Sequence, residues 1–121
     1  MSKREIKAIL EDIIDCIERI AIYVGNMSYD EFMADSKTQD AVIRNLEIIG
    51  EAVKQLPKNF TNAHNDIPWR EISGTRDRPI HDYSGVNYDI VWVVIANDLP
   101  SLRPRLLEIL QSEKPETNCR T

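Results

Sequence analysis

Apolar residues recur in this chain at alternating intervals of four and three, and that spacing constrains the possible folds more than any other feature. Ile6, Leu10, Ile13, Ile17, Ile20 and Val24 follow it through one segment, and Val42, Leu46, Ile49, Val53 and Leu56 follow it through another. Such a repeat lays one apolar stripe along an α-helix. It cannot serve a strand, whose side chains change face at every residue. A mean spacing near 3.5 is the one at which helices pack lengthwise, crossing at about +20°. The two segments predict an antiparallel pair that begins a bundle.

Local signals set the boundaries. Ser2 with Glu5 fits a capping box, and Gly25-Asn26 is C-cap chemistry. Ser28 with Glu31 predicts a second box opening a short helix through Phe32 and Met33. Ser36 with Gln39 predicts a third, opening a helix that Pro57 stops. Gly50 lies inside that helix at a cost of about 1 kcal/mol against Ala. It is either the close approach of another helix or a tolerated glycine. Residues 58–67 are polar and predict a loop, and Asp66-Ile67-Pro68-Trp69 predicts a short helical turn with Pro68 near its first position. Ser73-Gly74-Thr75 and Ser84-Gly85-Val86-Asn87 punctuate the chain. Asn87 is a candidate N-cap, with Val86 packing on Val91 as a staple. The last helix carries Ile90, Val91, Val94, Ile95, Leu102, Leu106, Ile109 and Leu110, and Pro100 and Pro104 should kink or restart it. No strand pattern or internal repeat is evident. The expectation is an all-α, up-and-down bundle of four to six helices over residues 1–111, with a disordered polar tail over 112–121.

Composition narrows the function. At 121 residues the chain makes one domain with an ordinary core. A net charge of -5 disfavours a broad basic surface, so any nucleic-acid site must be a local island of positive charge. Cys16 and Cys119 make no disulfide framework, which points to a reducing compartment. The N-terminus has no secretory pattern, and the longest apolar run, residues 90–96, is too short to cross a bilayer. A soluble cytoplasmic protein without a membrane anchor is expected.

Chemistry concentrates in Arg76-Asp77-Arg78-Pro79-Ile80-His81-Asp82-Tyr83. Here a guanidinium, an imidazole and a phenol come together: groups that grip phosphate, move a proton near neutral pH and accept a covalent modification. With Arg70 and Arg78 nearby, this is the one basic island in an acidic chain. On a straight helix Arg76 and Tyr83 share a face, whereas Arg76 and His81 lie about 140° apart. Either the segment starts outside helical geometry or a second chain completes the site. Elsewhere the signals are structural. His64 reads as solvated, Trp69 and Trp92 as packing more than base stacking, and Arg103 and Arg105 as surface residues. Glu47, Glu51 and Lys54 read as a solvated face, although a carboxylate there could hold Arg76. His and Cys offer no metal-site spacing.

The spacing R-x4-H-x-Y, read as Arg76, His81 and Tyr83, resembles the motif of the HEPN superfamily, and specifically of its HepT-like toxins. Similar segments surround it in order: Ile48-Ile49-Gly50-Glu51-Ala52, Ile67-Pro68-Trp69-Arg70-Glu71-Ile72, Val91-Trp92 and Asp98-Leu99-Pro100-Ser101-Leu102. The resemblance spans about residues 3–111. It implies a HEPN-like helical bundle that dimerises with its motifs near the two-fold axis. It also implies a metal-independent endoribonuclease of a type VII toxin–antitoxin system, paired with a minimal nucleotidyltransferase antitoxin. Carried over by residue, Arg76 and His81 are catalytic and Tyr83 is the AMPylated position. Arg70 and Arg78 are supporting RNA contacts, and neither metal nor cofactor is called for. Asp77 stands where the family usually has Asn, and Pro79 suits only a first helical turn. The alternative is a non-catalytic helical dimer that serves mainly as substrate and partner of the transferase. Tyr88, Trp92 and Val93, left over once one face of the last helix is buried, together with residues 69–83 suggest the dimer surface.

Overall fold

The computed structural model describes residues 2–73, 81–82 and 85–112. It is mostly helical: α1 (Lys3–Val24), α2 (Tyr29–Met33), α3 (Ser36–Lys54), α4 (Lys58–Ala63), α5 (Trp69–Ile72), α6 (Tyr88–Val93) and α7 (Leu99–Ser112). A π-helical turn, Val94–Asp98, joins α6 to α7, so the two run on as one rod. The expected all-α class holds.

The two periodic segments are α1 and α3, and they pack along one another as the frame of the molecule. Leu10, Ile13, Val42 and Ile49 lie fully buried between them and α7, which adds Leu106 and Ile109. Two of the three anticipated capping boxes form. Ser2 N–H donates to Glu5 Oε1 at 2.8 Å while Glu5 N–H donates to Ser2 Oγ at 3.1 Å, and Ser28 and Glu31 repeat the pattern at the same distances. Gly25 ends α1 at φ 55°, a conformation that costs a residue with a Cβ.

Several boundaries differ from expectation. Asp35, not Ser36, caps α3: its carboxylate accepts from Thr38 N–H at 3.0 Å. A charged acceptor outcompetes a hydroxyl for the open amides of a first turn. Gln39 is released for a tertiary role, donating from Nε2 to the carbonyls of Phe32 and Met33, each at 3.0 Å, and so fastening the end of α2. The polar run after Pro57 is helical, not a loop, over Lys58–Ala63, because Phe60 is buried and anchors the turn to the core. The short helical turn expected near Pro68 is α5, with Pro68 as its N-cap, one residue before the first helical position. His81–Asp82 (β1) and Gly85–Val86 (β2) form a two-residue antiparallel ladder, pairing His81 with Val86 and Asp82 with Gly85. A pairing this short leaves no alternation to find, and Gly85 supports it at φ 121°. Asn87 caps α6 as expected, its Oδ1 accepting from Asp89 and Ile90 N–H.

The prolines neither break nor restart the last rod. Pro100 has no N–H to give the carbonyl of residue 96, and its ring crowds that oxygen. The turn before it widens instead, with Leu99 N–H bonding back to Val94 O, and Ser101 Oγ donates to Asn97 O at 3.1 Å. Pro104 is carried inside α7. The tail expected over 112–121 lies outside the described residues beyond Ser112.

Candidate functional site

Of the expected site, Arg76, Asp77, Arg78, Pro79 and Tyr83 lie outside the described residues. His81 opens β1, and its backbone pairs with Val86, immediately before the Asn87 cap of α6. Arg70 lies exposed on α5. The motif thus begins three residues after Ser73, the C-cap of α5, and its His81 and Asp82 form β1, paired with β2 ahead of α6.

Each boundary is held by packing. On the α5 side, Trp69 indole N–H donates to His64 O at 3.0 Å, and its ring stands 6.0 Å from Phe60. His64 is not a solvated loop residue. Its ring lies 4.5 Å from that of Phe60, and Nδ1 is 3.1 Å from Phe60 O. Phe60, a lone large apolar side chain in a polar run, was the sequence signal for this cluster. One step earlier in the chain from α5, Asp66 makes a two-pronged ion pair with Arg105 of α7, at 2.6 and 3.1 Å. The hydrogen bonds from Arg105, followed by its charge, hold the Asp66 carboxyl below the usual carboxylate range. Arg103 similarly ties α7 to Glu18 of α1, with Nε at 3.1 Å. Both arginines are surface residues as expected, but each spans two elements.

On the other side, α6 rests on α2 through aromatic rings. Phe32, fully buried, has Trp92 at 5.4 Å and Tyr88 at 6.4 Å, and Tyr29 meets Trp92 edge-on at 6.0 Å. The Tyr29 hydroxyl donates to Asp89, which raises the phenol's pKa. Trp69 and Trp92 are packing residues, as anticipated. Tyr88 and Trp92 already have partners within the chain, so of the three residues left over for a dimer surface only Val93 stands out, at 40% exposure.

Between α3, α5 and the last rod lies a groove of about 1120 Å³. Ile43, Ile48, Ile67, Ile72 and Leu102 give it an apolar floor, while Arg44, Glu47, Glu51, Lys54, Asp98 and Arg105 contribute charge. Glu51 pairs with Lys54 at 3.4 Å on the exposed face, as the sequence suggested. Ser73, the residue next to the motif segment, also lines the groove, and Gly50 on the facing helix comes close to it. Among the described residues no group of three His, Cys, Asp or Glu side chains is placed to hold a metal ion. Among the same residues no helix is long and apolar enough to cross a membrane.

Comparison with known proteins places this arrangement. A family model described as ribonuclease HepT-like matches residues 13–109, a span that includes Arg76, His81 and Tyr83. A protein of Thermococcus cleftensis named "Probable ribonuclease HepT" is 46% identical over 101 residues, covering 84% of this chain and 92% of that one. One from Caldanaerobacter subterraneus subsp. tengcongensis, named a "Putative RNase", is 47% identical over 105 residues, covering 87% and 94%. Another so named, from Methanocaldococcus jannaschii, is 41% identical over 116 residues, covering 96% of each. No solved structure matches the chain. With four-fifths of its length under one family model and relatives of nearly equal extent, this chain belongs to the HepT-like ribonuclease family.

Proposed function

We propose that the protein is the toxin of a type VII toxin–antitoxin pair: a metal-independent endoribonuclease that uses Arg76 and His81 and is silenced by AMPylation of Tyr83. The observation that carries this is the R-x4-H-x-Y motif standing inside the span matched by the ribonuclease HepT-like family model, among relatives named "Probable ribonuclease HepT" and "Putative RNase". Arg76 binds the scissile phosphate and stabilises charge developing on its oxygens. The 2′-hydroxyl of the preceding ribose attacks phosphorus, and the imidazole of His81 accepts its proton. The leaving 5′-oxygen takes a proton from a second imidazole. One chain offers a single motif histidine, so the second belongs to the partner copy of a homodimer. The use of the 2′-hydroxyl restricts cleavage to RNA.

Arg70 and Arg78 extend the positive island toward neighbouring phosphates, which an acidic protein needs locally. A cognate minimal nucleotidyltransferase is the antitoxin. Attaching AMP to Tyr83 adds a negative phosphodiester and a base beside the phosphate-binding arginine, which repels and blocks RNA together.

The test is cleavage of RNA by purified protein in excess EDTA, with sedimentation at micromolar concentration. Metal-free cleavage by a dimer is the expected result. An intact RNA substrate would instead favour the non-catalytic partner of the transferase, and a cleaving monomer would remove the two-histidine mechanism.

A further inference from the structure

We infer that Gly50 is a positioning residue for the catalytic motif, because its missing side chain sets how closely Ser73, three residues before Arg76, seats against α3. The inference rests on the ribonuclease function proposed above. A Cβ built on Gly50 would stand 3.0 Å from Ser73 O, 3.5 Å from its carbonyl carbon and 3.7 Å from its Cα. The obstacle is backbone, so no rotamer change relieves it. Gly50 is itself buried inside a 19-residue helix, four residues before its last residue, Lys54. Glycine there costs about 1 kcal/mol against alanine, which makes its presence a concession by α3 to something beside it.

What yields on substitution follows from how firmly each side is held. α3 is fixed by Val42, Leu46, Ile49 and Val53, all buried in the core. α5 has four residues, none of them fully buried. Ser73 N–H donates to Trp69 O at 3.0 Å and Ser73 Oγ to Arg70 O at 2.8 Å, both bonds within the turn itself. A methyl group at position 50 therefore leaves α3 in place and displaces Ser73 by a few tenths of an ångström. Arg76 follows Ser73 by three residues, a tether no longer than about 11 Å. Catalysis by charge stabilisation and proton transfer is steep in such displacements. The glycine thus trades helix stability for placement of the arginine.

The experiment is Gly50→Ala in the full-length protein, with Asp40→Ala on an exposed face of α3 as control. Gly50→Ala is expected to lower kcat for RNA cleavage in EDTA roughly tenfold, since misplacement by about 1 Å can cost a hundredfold. The Kd for RNA should stay within about twofold, because the charged groups are unchanged. The thermal midpoint should hold or rise, and the backbone amide resonances of residues 69–73 should shift while those of α1 do not. Asp40→Ala should leave kcat unchanged. Wild-type kcat in Gly50→Ala, or unshifted amides, would overturn the inference. So would loss of the helical signal, which would make Gly50 a packing requirement only. If wild-type protein leaves RNA intact, the ribonuclease function falls and the catalytic role of Gly50 with it, while the amide shifts still decide separately whether this glycine sets the seat of Ser73.

Discussion

Removing one ring from α2 should loosen the far boundary of the motif without touching it. Phe32 is fully buried in a five-residue helix and carries the contact between α2 and α6, through Trp92 and Tyr88. A buried aromatic side chain hides about 150–250 Å², which at about 25 cal/mol per Å² corresponds to roughly 4–6 kcal/mol. Measured Phe→Ala losses of about 3–5 kcal/mol include the cavity left behind. Phe32→Ala should therefore cost about 4 kcal/mol, a large part of the roughly 5–15 kcal/mol that holds a domain together. Urea unfolding followed by circular dichroism and tryptophan fluorescence is the assay. With a slope of about 2 kcal/mol per molar, the midpoint should fall by about 2 M. Phe32→Leu, which keeps most of the apolar volume, should cost no more than about 1.5 kcal/mol. Amide exchange at Val86, whose ladder adjoins the base of α6, should quicken more than at Ile13 in the α1 core. A loss below about 1.5 kcal/mol for Phe32→Ala, or equal acceleration at both amides, would refute the claim that this ring couples α2 to α6.

Three further outcomes are expected. Arg76→Ala and His81→Ala should each reduce RNA cleavage by at least about a hundredfold with helical content unchanged; wild-type cleavage by either variant would strip that residue of its role. Tyr83→Phe should still cleave RNA yet escape silencing by a co-expressed cognate nucleotidyltransferase, and a nucleotidyl mass increment on Tyr88 or Tyr23 in that variant would move the modification site. In acid, the carboxyls of Glu5 and Asp35 are held low by amide hydrogen bonds at helix starts, and that of Asp66 by Arg105. Their folded-state pKa values lie below the unfolded ones, so their stabilisation is complete above about pH 4.5 and is lost as pH falls through the folded values. Asp66→Asn should lower the thermal midpoint at pH 7 slightly and flatten its fall below about pH 4; an unchanged acid limb would show that the Arg105 pair contributes nothing.

The frame was legible because its cause is local. The four-three spacing and the Ser2–Glu5 and Ser28–Glu31 pairs each state a helix within a few residues, and α1, α2 and α3 follow. What escaped depended on distant partners. Gln39 has the residue type of a capping box, yet its amide reaches the end of α2 because Asp35 already satisfies the first turn. Residues 58–63 look like a loop until the core claims Phe60. Pro100 announced a disturbance, but whether it would kink, restart or widen the helix depended on how the rod packs on both sides. Gly50 left two explanations open, and only the position of Ser73 decides between them. It is a close approach, made by the end of a short helix and not by a helix laid alongside. At the site, the motif was visible as a pattern of residue types, and Phe60 stood out as a lone apolar residue in a polar run, while the other supports at its flanks, His64, Asp66 and Phe32, carry no sequence signature of their own.

The π turn makes the length of the last rod a matter of phase. Tyr88, Val91, Trp92, Ile95, Leu99, Leu102, Leu106 and Ile109 would draw nearly a single line on an unbroken α-helix. With one residue more in the turn at Val94–Asp98, everything beyond it is rotated by up to about 100°. The line is divided between two clients, with Tyr88 and Trp92 meeting the rings of α2 and α7 packing on α1. Deleting a single residue there would shorten the rod by only about 1.5 Å, a trivial change in reach. It would nevertheless swing α6 out of register with α2, or α7 out of register with α1. Among relatives of this chain, insertions and deletions at this turn should thus be rarer than substitutions, because a lost residue cannot be absorbed by sliding.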